Sequence, residues 1–232
     1  MNSEQSGGRV AVVVAAAGRG ERLGGGTAKA LRPIDGAPML VHTMRSLAAA
    51  TSVDLMVVVA PASDLAAVRD VLASEVVVVP GGATRAESVR CALAVLPDDV
   101  AVVLVHDAAR PFVPAQVVEA VIAAVRAGHH AVIPVIAVAD TVKRLGSDGR
   151  VVETLPRHEL YAVQTPQGFL RSLLDEAHRD LPMDATDDAV LVEALGRPVW
   201  TVPGADLAFK VTRPVDLMLA ESVLSQLRSR PT

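Results

Sequence analysis

The sequence predicts a doubly wound α/β fold, in which helices cover both faces of a mostly parallel β-sheet. Continuous runs of Val, Ala and Leu recur along the chain without alternating polar residues, which is typical of strands buried on both faces. Amphipathic segments separate these runs, and a repeated strand–helix–strand order favours right-handed crossovers in one sheet. We expect residues 1–232 to form a single domain with a small appendage.

The first half of the chain supplies most of the predicted sheet. Ser63 is the predicted N-cap of the second helix, and residues 1–8 are expected to be a tail. Strands are predicted at Val10–Ala17, Asp54–Ala60, Glu75–Val79 and Ala101–His106, and helices at Pro38–Ala50, Ser63–Ala73, Ala86–Leu96 and Pro114–Ala127.

The pattern changes near Ala131, where short strand-like runs indicate a hairpin arm at about residues 138–163. Ser147–Gly149 is its predicted turn. We expect the arm to pack on a second subunit, although a surface hairpin on a monomer fits the sequence equally well. The short strand-like runs are Ala131–Val138, Arg150–Thr154 and Leu160–Val163, and later elements are predicted at Leu170–Arg179, Thr186–Leu195, Val199–Val202, Leu207–Val211 and Pro214–Leu227.

Composition excludes several classes of protein. A net charge of −4 argues against a surface that binds nucleic acid or an anionic membrane in general. A single cysteine, Cys91, excludes an intramolecular disulfide and a cysteine-based zinc site. The run Val10–Ala17 could be read as a signal peptide, but it is short and a first buried strand explains it better. We expect a cytoplasmic protein.

A glycine-rich segment at residues 15–29 follows the first predicted strand, at the sheet edge where open α/β folds bind ligands. Gly18 and Gly20 leave backbone amides accessible to phosphate oxygens. The segment fits neither the dinucleotide fingerprint nor the P-loop. Because it also carries Arg22 and Lys29, it suits a triphosphate. The alternative is a turn with solvated charges.

Further polar clusters follow other predicted strands. Asp107, at the end of the fourth strand, is a candidate Mg²⁺ ligand, since Mg²⁺ favours one or two carboxylates together with phosphate oxygens. Arg110 could hold Asp107 or meet a phosphate, and His106 is interpreted as a packed residue. The turn at residues 81–88 could read a base edge through its amides, or be an ordinary turn. Residues 184–188 are expected to be a solvated turn or a helix cap.

These segments together resemble the 2-C-methyl-D-erythritol 4-phosphate cytidylyltransferases of the non-mevalonate isoprenoid pathway. The resemblance extends from Val10 to Glu221, and the motif His106–Pro111 is its most specific part. The sequence departs from the family pattern at Ala28 and Ala30, which flank the loop lysine. It departs again at Ala83, where only backbone groups could contact cytosine. The other motifs are Ala16–Arg22, Gly81–Val89, Asp140–Thr141, Gln164–Phe169, Thr186–Ala189 and Lys210–Asp216.

The resemblance implies a Rossmann-like fold of the nucleotide-diphospho-sugar transferase type, and a homodimer whose arms complete each other's sites. It implies CTP and a polyol phosphate as substrates, and Mg²⁺ or another divalent cation at Asp107. Catalytic roles fall on Arg22, Lys29 and Lys210; nucleotide contacts on Ala16, Ala17, Gly18, Gly20, Gly82, Arg85, Ser88 and Asp107; and acceptor contacts on Arg110, Thr141, Arg157, Thr165, Thr186, Asp206 and Lys210.

The implied reaction joins CTP to 2-C-methyl-D-erythritol 4-phosphate and releases pyrophosphate. The attacking phosphate oxygen is already anionic, so catalysis should consist of positioning and charge stabilisation. A ribitol 5-phosphate cytidylyltransferase is the nearest alternative, and a non-catalytic nucleotide-binding module is a more distant one. An oxidoreductase that uses a dinucleotide is disfavoured because the fingerprint fails.

Overall fold

The structure is a computed structural model that describes residues 7–18, 28–180 and 187–228. In the described part of the chain, the strands are β1 Arg9–Ala15, β2 Pro33–Ile34, β3 Ala37–Pro38, β4 Leu55–Ala60, β5 Val77–Pro80, β6 Val100–Asp107, β7 Ala131–Ala137, β8 Lys143–Leu145, β9 Val151–Thr154, β10 Tyr161–Val163, β11 Gln167–Leu170 and β12 Trp200–Pro203. The helices are α1 Met39–Ala48, α2 Leu65–Asp70, α3 Arg85–Leu93, α4 Ala115–Arg126, α5 Arg171–Asp180, α6 Asp188–Ala194 and α7 Pro214–Arg228.

The main sheet has the strand order β10-β7-β11-β6-β1-β4-β5, and β12 also pairs with β7. The pairs β6–β1, β1–β4, β4–β5 and β12–β7 are parallel. Strands β10 and β11 run antiparallel to their neighbours. The sheet is therefore mainly parallel, as predicted, with its antiparallel strands confined to the side of β7.

Helices cover both faces of this sheet, which explains the continuous apolar runs. Val10, Val12 and Val14 of β1 belong to one core cluster, whereas Ala11 and Val13 belong to another. The first cluster includes buried residues of α1 and α4, and the second those of α3, α5 and α6. Because both faces of β1 are buried, every position of the strand favours an apolar side chain.

Several local predictions were wrong. The N-cap position of α2 is Asp64 and not Ser63, and no side chain caps that helix. The strand expected at Leu207–Val211 is a short 3₁₀ helix, Asp206–Ala208, followed by irregular chain. Strand β11 was not anticipated; it forms because antiparallel pairing to β6 and β7 buries Phe169 completely.

The arm is a two-stranded hairpin made of β8 and β9, with Gly149 at a φ of +80° in its turn. Its apolar side chains at Leu145, Val151 and Val152 are exposed. The end of the range expected for the arm, β10, instead returns to the main sheet and pairs with β7. The hairpin is thus shorter than the predicted segment. No helix in the described residues is long and apolar enough to span a membrane.

Candidate active site

The carboxyl ends of β1, β4 and β6 bring two of the predicted motifs together. Ala15 lies opposite Asp107 in the β1–β6 register, and the amide of Ala108 donates to the Ala15 carbonyl at 3.1 Å. On the other side, the amide of Ala16 donates to the Val59 carbonyl at 2.8 Å. The start of the glycine-rich segment therefore lies beside Asp107, at the edge where such sheets bind ligands.

Asp107 is surrounded by cations. Lys210 Nζ lies 2.7 Å from its Oδ2, Arg110 Nε lies 4.0 Å from the same atom, and Arg85 Nη2 lies 3.9 Å from Oδ1. Burial raises the pKa of Asp107, but the cations, Lys210 foremost, outweigh burial and lower this pKa to about 2. Asp107 is therefore ionised at neutral pH, within a cluster whose sum of charges is positive.

The chain around Lys210 is held by hydrogen bonds of the residues that follow the lysine. The amide of Val211 donates to the Ala109 carbonyl at 2.8 Å. Asp216, in the first turn of α7, accepts hydrogen bonds from the amide and the hydroxyl of Thr212 at 2.7 and 2.9 Å. The Lys210 side chain is 42% exposed, so its ammonium group is accessible to a phosphate that approaches from solvent.

Arg110 holds chain segments at the site. Its Nη1 donates to the Ala208 carbonyl at 2.7 Å, and its Nη2 donates to the Val163 carbonyl at 3.1 Å. These bonds fasten the end of β10 and the 3₁₀ helix Asp206–Ala208 to the end of β6. Arg110 Nε also lies 4.0 Å from Asp107 Oδ2, and the expected contact of Arg110 with a phosphate or the acceptor stays a prediction. Asp206, an expected acceptor contact, is exposed beside it.

His106 and Thr165 form a buried pair behind Asp107. The Thr165 hydroxyl lies 3.1 Å from His106 Nδ1 and accepts from the amide of Asp107, also at 3.1 Å. His106 Nε2 lies 3.1 Å from the Arg110 carbonyl. Burial is the main cause that lowers the pKa of His106 to about 4. The interpretation of His106 as a packed residue agrees with this geometry.

A second buried network extends behind Arg85. Its Nη1 lies 2.7 Å from Asp188 Oδ2, and His178 Nε2 lies 3.0 Å from Asp188 Oδ1. Burial lowers the pKa of Arg85, but Asp188 and Asp107 together raise it more. Asp188 is fully buried, so the expectation of a solvated turn was wrong for this residue, whereas the alternative of a helix N-terminus is confirmed, because Asp188 lies in the first turn of α6. Asp187 does cap α6, by accepting from the amide of Val190.

Gln167 completes this network, and sequence reasoning assigned it no role. Its Oε1 accepts from the amides of Asp188 and Ala189, both at 3.2 Å, and its Nε2 donates to Asp187 Oδ2 at 2.9 Å. Gln167 and Asp188 both fall within motifs of the resemblance, which is the signal that could have identified them.

The turn at residues 81–88 was expected to read a base edge through its amides. Two of these amides instead donate hydrogen bonds at the N-terminus of α3. Glu87 Oε2 accepts from the amides of Ala83 and Thr84, at 2.6 and 3.2 Å, and Thr84 Oγ1 accepts from the Glu87 amide at 3.1 Å. Ser88 donates its hydroxyl to the Thr84 carbonyl at 2.9 Å. A Cβ at Gly82 would lie 2.3 Å from the Cβ of Glu87. The Ala83 amide can therefore contact cytosine only if Glu87 releases it.

The turn at residues 81–88 packs against the start of the glycine-rich segment. A Cβ built at Gly81 would lie 2.8 Å from Ser88 Oγ and 3.0 Å from the Cβ of Ala17. A Cβ at Gly18 would meet no described atom within 4 Å. The space above Gly18 is thus open on the side of the described residues, as a phosphate-binding turn requires.

The structure describes only one of four further expected site residues. Lys29 begins a 3₁₀ helix, Lys29–Leu31, and is half-buried. Gly20, Arg22 and Thr186 lie outside the described residues.

The acceptor residues expected in the arm are exposed. Thr141 lies between β7 and β8, and Arg157 begins a 3₁₀ helix after β9. Arg157 Nη1 donates to the Ala139 carbonyl at 2.8 Å, within the arm itself.

A divalent cation would find one carboxylate, Asp107, at this edge. Residues 7–18, 28–180 and 187–228 contain no group of three or more His, Cys, Asp or Glu side chains able to hold a metal. Asp107 Oδ2 is occupied by Lys210, whereas Oδ1 has only the more distant Arg85. This geometry fits a cation that arrives with phosphate oxygens, which is the mode Mg²⁺ favours.

A Rossmann-like sheet with a glycine-containing turn and a cluster of cations at its carboxyl edge defines a nucleotide-handling α/β protein. A family model described as 2-C-methyl-D-erythritol 4-phosphate cytidylyltransferase matches residues 10–226. The chain therefore belongs to the 2-C-methyl-D-erythritol 4-phosphate cytidylyltransferase family. This confirms the predicted family and nucleotidyltransferase class, and favours them over the ribitol 5-phosphate alternative.

Individual relatives agree with the family match. The chain is 59% identical to a 2-C-methyl-D-erythritol 4-phosphate cytidylyltransferase of Frankia casuarinae, over 94% of this chain and 82% of the relative. A crystal structure of the Thermus thermophilus cytidylyltransferase has a TM-score of 0.78 and 36% identity, over 94% of this chain and 99% of that one. The Anaerococcus prevotii 4-diphosphocytidyl-2C-methyl-D-erythritol synthase structure has a TM-score of 0.84 and 27% identity, covering 97% and 100%. The predicted fold class is confirmed.

Proposed function

We propose that cytidylyl transfer from CTP to 2-C-methyl-D-erythritol 4-phosphate takes place at the carboxyl edge of β1 and β6. The observation that carries this proposal is the 2.7 Å contact between Lys210 and the carboxylate of Asp107, whose side chain is 14% exposed. This contact holds an accessible ammonium group at the sheet edge where Asp107 lies opposite Ala15, at the start of the glycine-rich segment. A reaction between two anions needs fixed positive charge at this kind of position.

In the proposed mechanism, an oxygen of the acceptor's phosphate attacks the α-phosphorus of CTP. A new phosphorus–oxygen bond forms as the bond to the β-phosphate breaks, and pyrophosphate leaves with the electron pair. The attacking oxygen is already ionised, so no side chain needs to remove a proton. Lys210, Lys29 and Arg22 would stabilise the negative charge around the α-phosphoryl group, through positioning and electrostatics.

Asp107 has two parts in this mechanism. Its ionised carboxylate orients Lys210, and its Oδ1 would hold Mg²⁺ or another divalent cation together with phosphate oxygens. When bound, such a cation supplies charge neutralisation among those oxygens. The pKa of Asp107, about 2, supports this role because the carboxylate never becomes protonated at neutral pH.

The proposal includes a homodimer in which the arm of each subunit reaches the site of its partner. The exposed apolar side chains at Leu145, Val151 and Val152 support it, because they cluster on a hairpin separate from the main core. Thr141 and Arg157, exposed in the same arm, would then contact the acceptor in the other subunit. Thr186 and Asp206 would contact it from the body.

We further propose that the protein works in the cytoplasm and that neither nucleic acid nor a membrane is its partner. The net charge of −4 supports the second part of this proposal, since a general polyanion-binding surface carries excess positive charge.

Pyrophosphate release by the purified protein tests the proposed function. We expect release from CTP with Mg²⁺ and 2-C-methyl-D-erythritol 4-phosphate, and much slower release with ribitol 5-phosphate or with no acceptor. Faster turnover of ribitol 5-phosphate would assign the other acceptor. Binding of CTP with no release under any of these conditions would favour a nucleotide-binding module and contradict the proposal.

A further inference from the structure

Four groups behind the site form a continuous chain of hydrogen bonds. They are the Arg110 carbonyl, the His106 ring, the Thr165 hydroxyl and the Asp107 amide, with each neighbouring pair 3.1 Å apart. His106 is fully buried and Thr165 nearly so. Buried polar groups must form hydrogen bonds with one another, so each bond in this series has a definite donor and a definite acceptor.

The chemistry of the partners assigns the direction of each bond. A carbonyl can only accept, so His106 Nε2 carries a hydrogen and donates it to Arg110. In the neutral imidazole, Nδ1 is then an acceptor. The Thr165 hydroxyl therefore donates to His106 Nδ1, while its oxygen accepts from the Asp107 amide.

The direction determines what Thr165 can offer to a substrate. Its hydrogen is committed to His106, so its remaining capacity is that of an acceptor. Phosphate oxygens that carry negative charge are also acceptors and cannot pair with it. A hydroxyl group of the polyol is the matching donor, because it carries a hydrogen.

We propose that His106 is a positioning residue, which acts through Thr165 to fix the main chain of Asp107 and to present Thr165 as an acceptor to a polyol hydroxyl. This inference rests on the proposed function at Asp107. It adds a specificity element, because an acceptor is then selected by a hydroxyl that lies against Thr165 and not by its phosphate alone.

Two substitutions of His106 test separately its hydrogen bond to Thr165 and its hydrogen bond to Arg110. His106→Asn keeps an acceptor oxygen near the position of Nδ1, whereas His106→Gln keeps a donor near the position of Nε2. We expect His106→Gln to lower kcat by about tenfold and to raise the KM for the acceptor, because a displaced reactive group typically has effects of this order or larger. His106→Asn should lose clearly less, and the KM for CTP should stay within about threefold in both.

Thr165 and the double variant test the link between the two residues. Thr165→Val should resemble His106→Gln, and Thr165→Ser should restore most of the loss. The kcat of the double variant His106→Gln/Thr165→Val should be no lower than that of the less active single variant, since the effects of coupled residues are not additive. His42→Gln is the matched control. His42 is another buried histidine, with Nε2 2.9 Å from the Ile34 carbonyl, outside the site.

Melting temperatures and kcat per folded protein distinguish the outcomes. The proposal is supported if His106→Gln lowers kcat while His42→Gln affects only the melting temperature. It is overturned if Asn and Gln at position 106 have equal effects on kcat, if losses in the double variant add, or if both histidine variants change stability alone. Because the unaltered protein is assayed alongside, failure of the proposed function itself appears as absent turnover in every sample.

Discussion

The carboxyl edge of the sheet and the hairpin arm differ in how their polar groups are held. Asp188 is fully buried and the Asp107 side chain is 14% exposed, and each has charged partners from distant parts of the chain. In the arm, the ion pair between Arg144 and Glu153 joins side chains that are 63% and 49% exposed. The body thus carries a pre-organised set of charges, whereas the charged and apolar side chains of the arm are exposed.

This difference matches the chemistry proposed for each region. Charge that develops on a phosphoryl group is stabilised best by groups that need no reorganisation at the moment of reaction. Recognition of an acceptor tolerates groups that become ordered on binding, at a cost in affinity rather than in the chemical step. Substitutions in the body should therefore change kcat, and those in the arm should change KM.

The largest expected effect is at Lys210. Lys210→Met should lower kcat by about 10³-fold, since it removes a preformed charge from the transition state. Steady-state kinetics of pyrophosphate release measure the change. Arg45→Ala, an exposed residue of α1, is the matched control and should retain the kcat of the unaltered protein. A Lys210→Met variant with near-native kcat would contradict the assignment of the body edge as the reactive centre.

Asp188 tests whether the body is pre-organised by buried charge. Asp188→Ala should destabilise the protein by about 3 kcal/mol, because it leaves the partly buried Arg85 and the buried His178 ring without their closest partner. Glu153→Ala, which breaks the exposed pair in the arm, should cost less than about 0.5 kcal/mol. Chemical denaturation measures both, and equal costs would remove the distinction between the two regions.

Lys29 should have the next effect in size. We expect Lys29→Ala to lower kcat by about 10²-fold, the usual loss when one transition-state donor is removed. Single-turnover measurements with saturating CTP separate this loss from any change in binding. Unchanged turnover of CTP would show that Lys29 has no catalytic role.

The arm should give a smaller effect of a different kind. Arg157→Ala should raise the KM for the acceptor by about tenfold, the loss expected when one charge-assisted contact to the acceptor is removed. The KM for CTP should be nearly unchanged. Initial rates with each substrate varied in turn provide the measurement. Weaker CTP binding with an intact acceptor KM would assign Arg157 to the wrong substrate.

Much of the fold could be predicted from local patterns. The strands that became β1, β4 and β6 are continuous apolar runs because helices bury both of their faces, and burial of that kind is visible in a short window of sequence. Strand β11 was missed because its pairing depends on β6 and β7, and no local periodicity reports such a partner.

The site could be predicted in part for the same reason. Asp107 and Gly18 follow strands whose carboxyl ends share one edge, so topology alone brings them together. The partnership of Arg85 with Asp188, and that of His106 with Thr165, join residues far apart in the sequence. Spacing along the chain carries no sign of these contacts, and a buried aspartate looks like a solvated one until its neighbours are known.

Mixed dimers of Lys210→Met and Arg157→Ala subunits test most directly the central claim that the body of one subunit and the arm of its partner form one site. Co-expression with two affinity tags allows the heterodimer to be purified. One of its sites would combine an intact Lys210 with an intact Arg157 from the partner. We predict recovery to about half the activity of the unaltered dimer, measured at an acceptor concentration where both parent variants are impaired, since one of its two sites is then intact. A heterodimer no more active than the mean of its two parents would contradict the claim.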